Sequence, residues 1–153
     1  PAPINSWIMG MHLESLGVRM ERHCANALAV AKWLDADPRV SWVSFPGLET
    51  DKYHALAEKY MPNGTCGVIS FGVPGGREKV SAFLDHLKMV SIATHVADAR
   101  SCTLYPAGTT HRQLTEEQLE EAGVGIDLVR LSCGIENTAD IIADLDQALA
   151  AVQ

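Results

Sequence analysis

The sequence predicts an α/β domain built as a two-layer sandwich, in which helices cover one face of a small, mostly antiparallel sheet of four strands. Short runs of alternating apolar residues, typical of strands, are separated by longer stretches with apolar residues at helical spacing. The chain has 153 residues and 47% hydrophobic content, enough for one core of ordinary size. Because no repeat or linker divides the sequence, residues 1–153 are predicted to form a single domain.

The first predicted element is a long amphipathic helix from Ile4 to Leu34, interrupted at most near Gly17. Its opening part, from Trp7 to Leu13, is apolar on more than one side, as expected of a helix that crosses between two packed bodies. We therefore expect this segment to contact something outside the domain.

Strands and helices then alternate along the chain. The strands are predicted at Val40–Phe45, at Cys66–Val73, at Met89–Thr94 with a continuation or resumption at Cys102–Leu104, and at Asp127–Cys133. The helices are predicted at His54–Met61, at Arg77–Leu87, from a Thr115 capping box to near Gly123, and after a cap at Asn137 or Thr138. The covered face of the sheet is expected to take Val129, Leu131, Ile69 and Phe71.

Charge and cysteine content exclude several settings. Twelve Lys and Arg residues against nineteen Asp and Glu residues give a formal charge of -7 without a basic run, so nucleic acid and anionic membranes are not expected partners. The four cysteines are widely spaced in apolar surroundings, which predicts reduced thiols and a cytoplasmic setting. The amino end shows neither an initiator Met nor a targeting pattern, and no stretch is apolar enough to span a bilayer. The chain is expected to be an excised or processed piece.

The last strand carries a cation in an apolar run. Because side chains alternate along a strand, Arg130 shares a face with Leu128 and Ser132, away from the expected core. A guanidinium in that position costs free energy unless an anion satisfies it, and its planar fork suits a carboxylate. The alternative is a structural arginine on the wetted side of the sheet, paired with Asp98 or Glu136.

Two other segments hold polar side chains suited to recognition. The loop from His95 to Ser101 connects two apolar runs, where recognition groups often lie. The second segment includes Thr110 and His111, and for His111 a structural role in the loop and ligand contact both stay open. Ser101, Thr110 and His111 are therefore candidates for an active-site loop.

No complete catalytic set is present. The sequence lacks a G-x-S-x-G elbow, and its histidines show no H-x-x-x-H or H-E-x-x-H spacing, so neither catalytic residues nor a metal site are predicted. The Gly75-Gly76 turn is better explained as a strand-to-helix turn than as a phosphate site. The acids between Glu116 and Glu121 are typical of a solvated helix face.

Several segments, in matching order and spacing, carry a family resemblance. They are A-G-V-G-I-D-L-V-R-L-S-C-G-I-E-N-T-A-D-I-I-A-D-L-D-Q-A-L from Ala122 to Leu149, Y-P-A-G-T-T-H-R-Q-L from Tyr105 to Leu114, V-R-M-E-R-H-C-A-N-A-L from Val18 to Leu28, and P-G-L-E after Phe45. They resemble the carboxyl-terminal small domain of the cystathionine gamma-synthase-like enzymes of Cys/Met metabolism, which depend on pyridoxal phosphate. Within that family the resemblance is greatest to the O-acetylhomoserine sulfhydrylases.

The resemblance implies roles for several residues. Arg130, in the L-V-R-L-S motif, would bind the α-carboxylate of the amino-acid substrate, and His95 and Val96 lie in the segment that frames it. Relatives usually have Asn or Ser where His95 stands, and Gly where Ala97 stands. Tyr105, Gly108 and Cys133 likewise replace a usual His, Ser and Val.

The resemblance also implies what this chain lacks. Members of the family hold pyridoxal phosphate on a lysine within an S-x-T-K segment, whereas all five lysines here lie in other contexts. We therefore expect a substrate-binding domain without cofactor-binding residues, inactive alone, whose partners are an amino-acid substrate and an amino-terminal pyridoxal-phosphate domain in a homo-oligomeric parent. The alternatives are a stand-alone amino-acid-binding or regulatory module without catalysis, and an assembly piece that docks through its first helix.

Overall fold

The computed structural model describes all 153 residues and contains one mixed sheet of five strands. The strands are β1 (Val43–Ser44), β2 (Val68–Gly72), β3 (Ser91–Ile92), β4 (Cys102–Leu104) and β5 (Leu128–Ser132). Their order across the sheet is β1-β2-β5-β4-β3, and every neighbouring pair is antiparallel except β3 and β4. β5 is therefore the central strand, paired on both sides.

The predicted α/β class is confirmed, but the predicted count of four strands is wrong. Cys102–Leu104 does not continue the preceding strand but forms β4, parallel to β3. Because β4 runs parallel to β3, the chain must come back from the end of β3 to the edge of the sheet where β3 begins. Residues 93–101 form this return loop. The first strand is also shorter than the predicted Val40–Phe45, because only Val43 and Ser44 pair with β2.

Six α-helices and one 3-10 turn complete the chain. They are α1 (Pro3–Glu14), α2 (Leu16–Ala36), α3 (His54–Tyr60), α4 (Gly76–His86), the turn Pro106–Gly108, α5 (Glu116–Glu121) and α6 (Thr138–Ala150). The predicted break in the long helix occurs at Ser15. Both hydrogen bonds of the Thr115–Gln118 capping box are present, and the Asn137 side chain caps α6 at the Ala139 amide.

The hydrophobic core lies between the sheet and the helices. Val129 and Leu131 on β5 and Ile69 and Phe71 on β2 are fully buried, which confirms the predicted covered face. The ring of Phe83 on α4 meets that of Phe71 edge to face, with centroids 6.1 Å apart. Arg130 projects from the opposite face of the central strand.

The first helix stands apart from this core. No residue of α1 is buried, and Trp7, Met9 and Leu13 are 62%, 62% and 65% exposed. His23 is the first buried residue of the chain. None of the helices is both long and apolar enough to cross a membrane. The exposed apolar side chains of α1 therefore form a surface without a partner in this chain.

A buried carboxylate joins α6 to the connection between α4 and β3. Asp144 is 6% exposed, and its oxygens accept three successive backbone N–H groups, from Lys88 to Val90, at 2.8 to 2.9 Å. Burial alone would raise the pKa of Asp144, but these donors outweigh burial, and the pKa lies below its ordinary value.

Candidate functional site

Arg130 lies at the centre of the sheet with part of its hydrogen-bonding capacity unused. It pairs in register with Ser70 of β2 and Leu104 of β4. One terminal nitrogen, Nη2, donates to the backbone oxygen of Thr94 at 3.0 Å. The Nε atom is buried without any hydrogen-bond partner. A buried donor left unpaired costs on the order of 1 to 3 kcal/mol, so the hydrogen-bonding capacity of this guanidinium is not fully satisfied within the chain.

The proposed structural pairing of Arg130 with Asp98 or Glu136 is not found. None of the five ion pairs in the chain involves Arg130. Asp98 accepts the backbone N–H of Arg100 at 3.0 Å, and this bond, with the nearby Arg100 guanidinium, lowers the pKa of the Asp98 carboxyl. Glu136 binds Ser101 instead. The charge of Arg130 is therefore not neutralised within this chain.

The return loop contacts this guanidinium just before His95 and Val96 in the sequence. Both residues directly follow Thr94, whose oxygen Arg130 binds, and both are exposed, Val96 by 53%. The next residue, Ala97, donates its backbone N–H to the Ser132 hydroxyl oxygen at 3.1 Å. The loop is thus tied to β5 at Arg130 and at Ser132, and its polar side chains His95 and Arg100 are exposed.

Ala97 is the one non-glycine residue with a positive φ, at 57°. This left-handed conformation brings the β-carbon close to the following carbonyl oxygen and costs on the order of 1 kcal/mol or more for residues other than glycine. The turn at Ala97 points its N–H at Ser132. This backbone angle gives a physical reason for the glycine that the resemblance predicted at this position.

We expect Ala97→Gly to stabilise the chain by about 1 kcal/mol, because relief of the left-handed strain exceeds the added entropy of the unfolded state. Urea unfolding of both proteins measures the difference. The matched control is Ala99→Gly in the same loop, where φ is not positive, and this variant should lose about 0.5 to 1 kcal/mol. A loss of stability in both variants would show that Ala97 is not strained.

The other predicted residues do not gather around Arg130. Ser101 is fully buried, and its hydroxyl is engaged with Glu136 and the Gly134 amide. Thr110 is exposed and its hydroxyl lies 2.9 Å from Nδ1 of His111, whose backbone N–H donates to Pro106. Ser101 thus acts inside the loop structure, and no hydrogen bond connects Thr110 or His111 to Arg130.

The half-buried guanidinium of Arg130 does not line either of the two larger cavities. Two cavities of about 500 Å³ occur elsewhere, one beside Cys24 and His54 between α2 and α3, the other beside Gly125 near α5. Neither is lined by Arg130 or His95. No group of three or more His, Cys, Asp or Glu side chains is arranged to hold a metal ion. A carboxylate at Arg130 would need another body to enclose it.

Comparison with known proteins places this arrangement in a family. The family model for Cys/Met metabolism PLP-dependent enzymes matches residues 1–150. The chain belongs to this family. It is 45% identical over 149 residues to an O-acetyl-L-homoserine sulfhydrylase of Leptospira meyeri, and 47% identical over 147 residues to a homocysteine synthase of Schizosaccharomyces pombe. These alignments cover 97% and 96% of this chain but 34% of each relative, so the chain spans about a third of their length.

A solved structure supports the same assignment of the fold. A candidate O-acetylhomoserine (thiol)-lyase of Campylobacter jejuni superposes with a TM-score of 0.90 at 39% identity, over 97% of this chain and 35% of that protein. That protein carries a pyridoxyl-lysine monophosphate group. The family resemblance predicted from the sequence motifs is therefore confirmed, as is the dependence of the family on pyridoxal phosphate (PLP).

The residues of this chain do not fit PLP itself. Four of its lysines, Lys32, Lys52, Lys59 and Lys88, are exposed, and the fifth, Lys79, donates to the backbone oxygen of Val152. A lysine that holds this coenzyme needs a shielded pocket with donors for the phosphate.

Glu136 was considered in the sequence only as a partner for Arg130, and its bonds to Ser101 were missed. It accepts both the backbone N–H and the hydroxyl of Ser101, at 2.6 and 3.0 Å. The role of Asp144 was missed as well. Its position next to Leu145, on the apolar face of α6, was a signal that its carboxylate meets buried donors. The partner of Glu136 lies 35 residues away, and no local pattern indicates it.

Proposed function

We propose that this chain is the substrate-carboxylate domain of a PLP-dependent O-acetylhomoserine sulfhydrylase, which acts in homocysteine and methionine biosynthesis. The observation that carries the proposal is the guanidinium of Arg130, which no acid of the chain neutralises. The names of the relatives support the substrate class. Arg130 would receive the α-carboxylate in a two-point contact through its terminal nitrogens.

In this proposal the chain binds and orients the amino acid, and the coenzyme, held elsewhere in the parent protein, supplies the electron sink. Fixing the carboxylate at Arg130 leaves the amino group and the Cα–H bond in a defined direction, which lowers the entropic part of the barrier. His95 and Val96 would border the bound carboxylate from the loop.

The exposed apolar side chains of α1, among them Trp7, Met9 and Leu13, support a proposal about partners. We propose that they pack against an amino-terminal PLP domain, and that the parent protein is a homo-oligomer. The guanidinium of Arg130, which no acid of this chain neutralises, fits this arrangement, because the PLP domain would then enclose the bound carboxylate. The four free cysteines are in keeping with a cytoplasmic location.

The test compares this chain with a two-domain protein in which it is joined to an amino-terminal PLP domain of the family. We expect the two-domain protein to convert O-acetyl-L-homoserine and sulfide to homocysteine and acetate, and the chain alone to be inactive. Light scattering should show that the chain alone self-associates and that the control Trp7→Glu, Ile8→Lys stays monomeric.

Two outcomes would contradict these proposals. A two-domain protein that binds amino acids but turns over no O-acetylated substrate would favour a regulatory module. A chain that is monomeric at every concentration, like its control variant, would show that α1 has no exposed docking surface.

A further inference from the structure

Glu136 and Ser101 close the return loop onto the end of β5. One carboxylate oxygen of Glu136 accepts the backbone N–H of Ser101 at 2.6 Å, and the other accepts its hydroxyl at 3.0 Å. The Ser101 oxygen in turn accepts the backbone N–H of Gly134 at 2.9 Å. The hydroxyl thus both donates and accepts, and its orientation is fixed.

The packing around Ser101 and Glu136 is tight. Gly134 is buried, and a β-carbon placed on it would lie 2.5 Å from both the Ala99 oxygen and the Ser101 nitrogen. The backbone N–H of Ile135 adds a further bond to the Ala99 oxygen at 2.9 Å. The loop is therefore held close against residues 134–136 over its last three residues.

We call the hydrogen-bonded pair of Ser101 and Glu136 the clamp. Side chains of α2 hold the backbone around Glu136 in place. Asn26, fully buried, donates from Nδ2 to the backbone oxygens of Gly134 and Glu136, both at 2.9 Å. Its own Oδ1 accepts the Thr138 hydroxyl at 2.6 Å. His23, one helical turn earlier, contacts the Cys133 oxygen through Nδ1 at 2.6 Å. Glu136 thus extends from a segment that a rigid helix fixes.

The return loop links the Ser101–Glu136 pair at one end to the Arg130 guanidinium at the other. Arg130 donates to Thr94, and seven residues further along the chain the loop reaches the Ser101–Glu136 clamp. A binding group displaced by a fraction of an ångström loses much of its affinity for a ligand held in two-point contact. A loop released at Ser101 would let Thr94, His95 and Val96 move relative to Arg130.

We propose that Glu136 and Ser101 are positioning residues for the Arg130 site: they hold the return loop so that Arg130 and the loop backbone receive one carboxylate together. This inference rests on the proposed function of Arg130. Neither residue touches the ligand, because Ser101 is buried and the Glu136 carboxylate is turned toward it. Their effect reaches the ligand through the loop.

The test uses Glu136→Gln and Ser101→Ala in the two-domain protein, with Glu121→Gln, an exposed acid on α5, as the control. We expect each clamp variant to raise KM for O-acetyl-L-homoserine by about tenfold while kcat changes by less than about threefold, because a positioning defect appears first in binding. The double variant should lose less than the product of the two single losses, since both break one interaction.

A second readout separates positioning from a merely structural role. L-Methionine and L-methioninol differ only in carrying a carboxylate or a hydroxymethyl group, so the ratio of their inhibition constants reports the carboxylate site alone. We expect the clamp variants to lower this preference for methionine, and the control to keep it. Clamp variants with reduced thermal stability and an unchanged ratio would overturn the inference.

The outcomes also separate this inference from the proposed function. If Arg130→Ala abolishes the preference for methionine and the clamp variants keep it, Arg130 is the carboxylate residue and the clamp is only structural. If Arg130→Ala keeps the preference, the proposed function fails and the clamp inference fails with it. If Glu136→Gln does not fold, Ser101→Ala, which removes one oxygen atom, decides the question.

Discussion

Replacing Arg130 with Ala should lower kcat/KM of the two-domain protein toward O-acetyl-L-homoserine by about 30-fold to several thousandfold. Loss of a charge-assisted two-point contact with a desolvated carboxylate costs on the order of 2 to 5 kcal/mol, and each 1.4 kcal/mol is about tenfold. Arg130→Lys keeps the charge without the planar fork, so its loss should be smaller but clear. Most of the loss in both variants should appear in KM.

The same substitutions should leave folding nearly unchanged. Arg130 points away from the buried side chains of Val129 and Leu131, and the substitution removes one hydrogen bond, from Nη2 to the oxygen of the exposed Thr94. Thermal unfolding of the 153-residue chain and its Arg130→Ala variant measures this directly. Normal kcat/KM together with a lowered midpoint would identify Arg130 as a structural residue and contradict the proposed role.

Asp144→Ala should destabilise the chain by roughly 3 kcal/mol or more, the largest stability effect that we expect from a single side chain. The substitution leaves three backbone N–H groups between α4 and β3 without an acceptor, and a buried orphan donor costs on the order of 1 to 3 kcal/mol. Asp144→Asn retains one acceptor oxygen and should lose less. Urea unfolding at neutral pH measures both, and Asp85→Ala, an exposed acid on α4, is the control.

The contribution of Asp144 also depends on pH with a definite sign. Because the pKa of this carboxyl is lowered in the folded chain, the unfolded state binds its proton first as the pH falls. The stabilisation is therefore complete above the unfolded pKa of about 3.9 and is lost as the pH drops through the lower, folded value. The difference in stability between the native chain and Asp144→Asn should shrink over that acid range. A constant difference would show that the carboxylate charge is irrelevant.

The sequence predicted the parts of the fold that depend on local patterns. The alternation at Ile69 and Phe71 identified the covered face of β2, and the T-x-x-Q pattern at Thr115 predicted a capping box whose two hydrogen bonds are present. The separation of β3 from β4 was missed, because both runs are short and the register of Ser91 against Cys102 depends on a parallel pairing. Local periodicity carries no information about strand direction.

The candidate site, like the fold, could be predicted from the sequence only where local patterns indicate it. Strand alternation and the family motif both singled out Arg130, and the structure adds that its Nε atom has no partner. The bonds from Glu136 to Ser101 and from Asn26 to Gly134 join residues 35 and 108 positions apart. Such contacts arise from tertiary packing, which one sequence does not reveal.

The measurement that tests the central claim most directly is the ratio of inhibition constants for L-methionine and L-methioninol, in the two-domain protein and in its Arg130→Ala variant. If Arg130 binds the α-carboxylate, the unaltered protein prefers methionine by about 30-fold or more, and the variant binds the two compounds nearly equally. An undiminished preference for methionine in the Arg130→Ala variant would contradict the claim that this arginine is the carboxylate site.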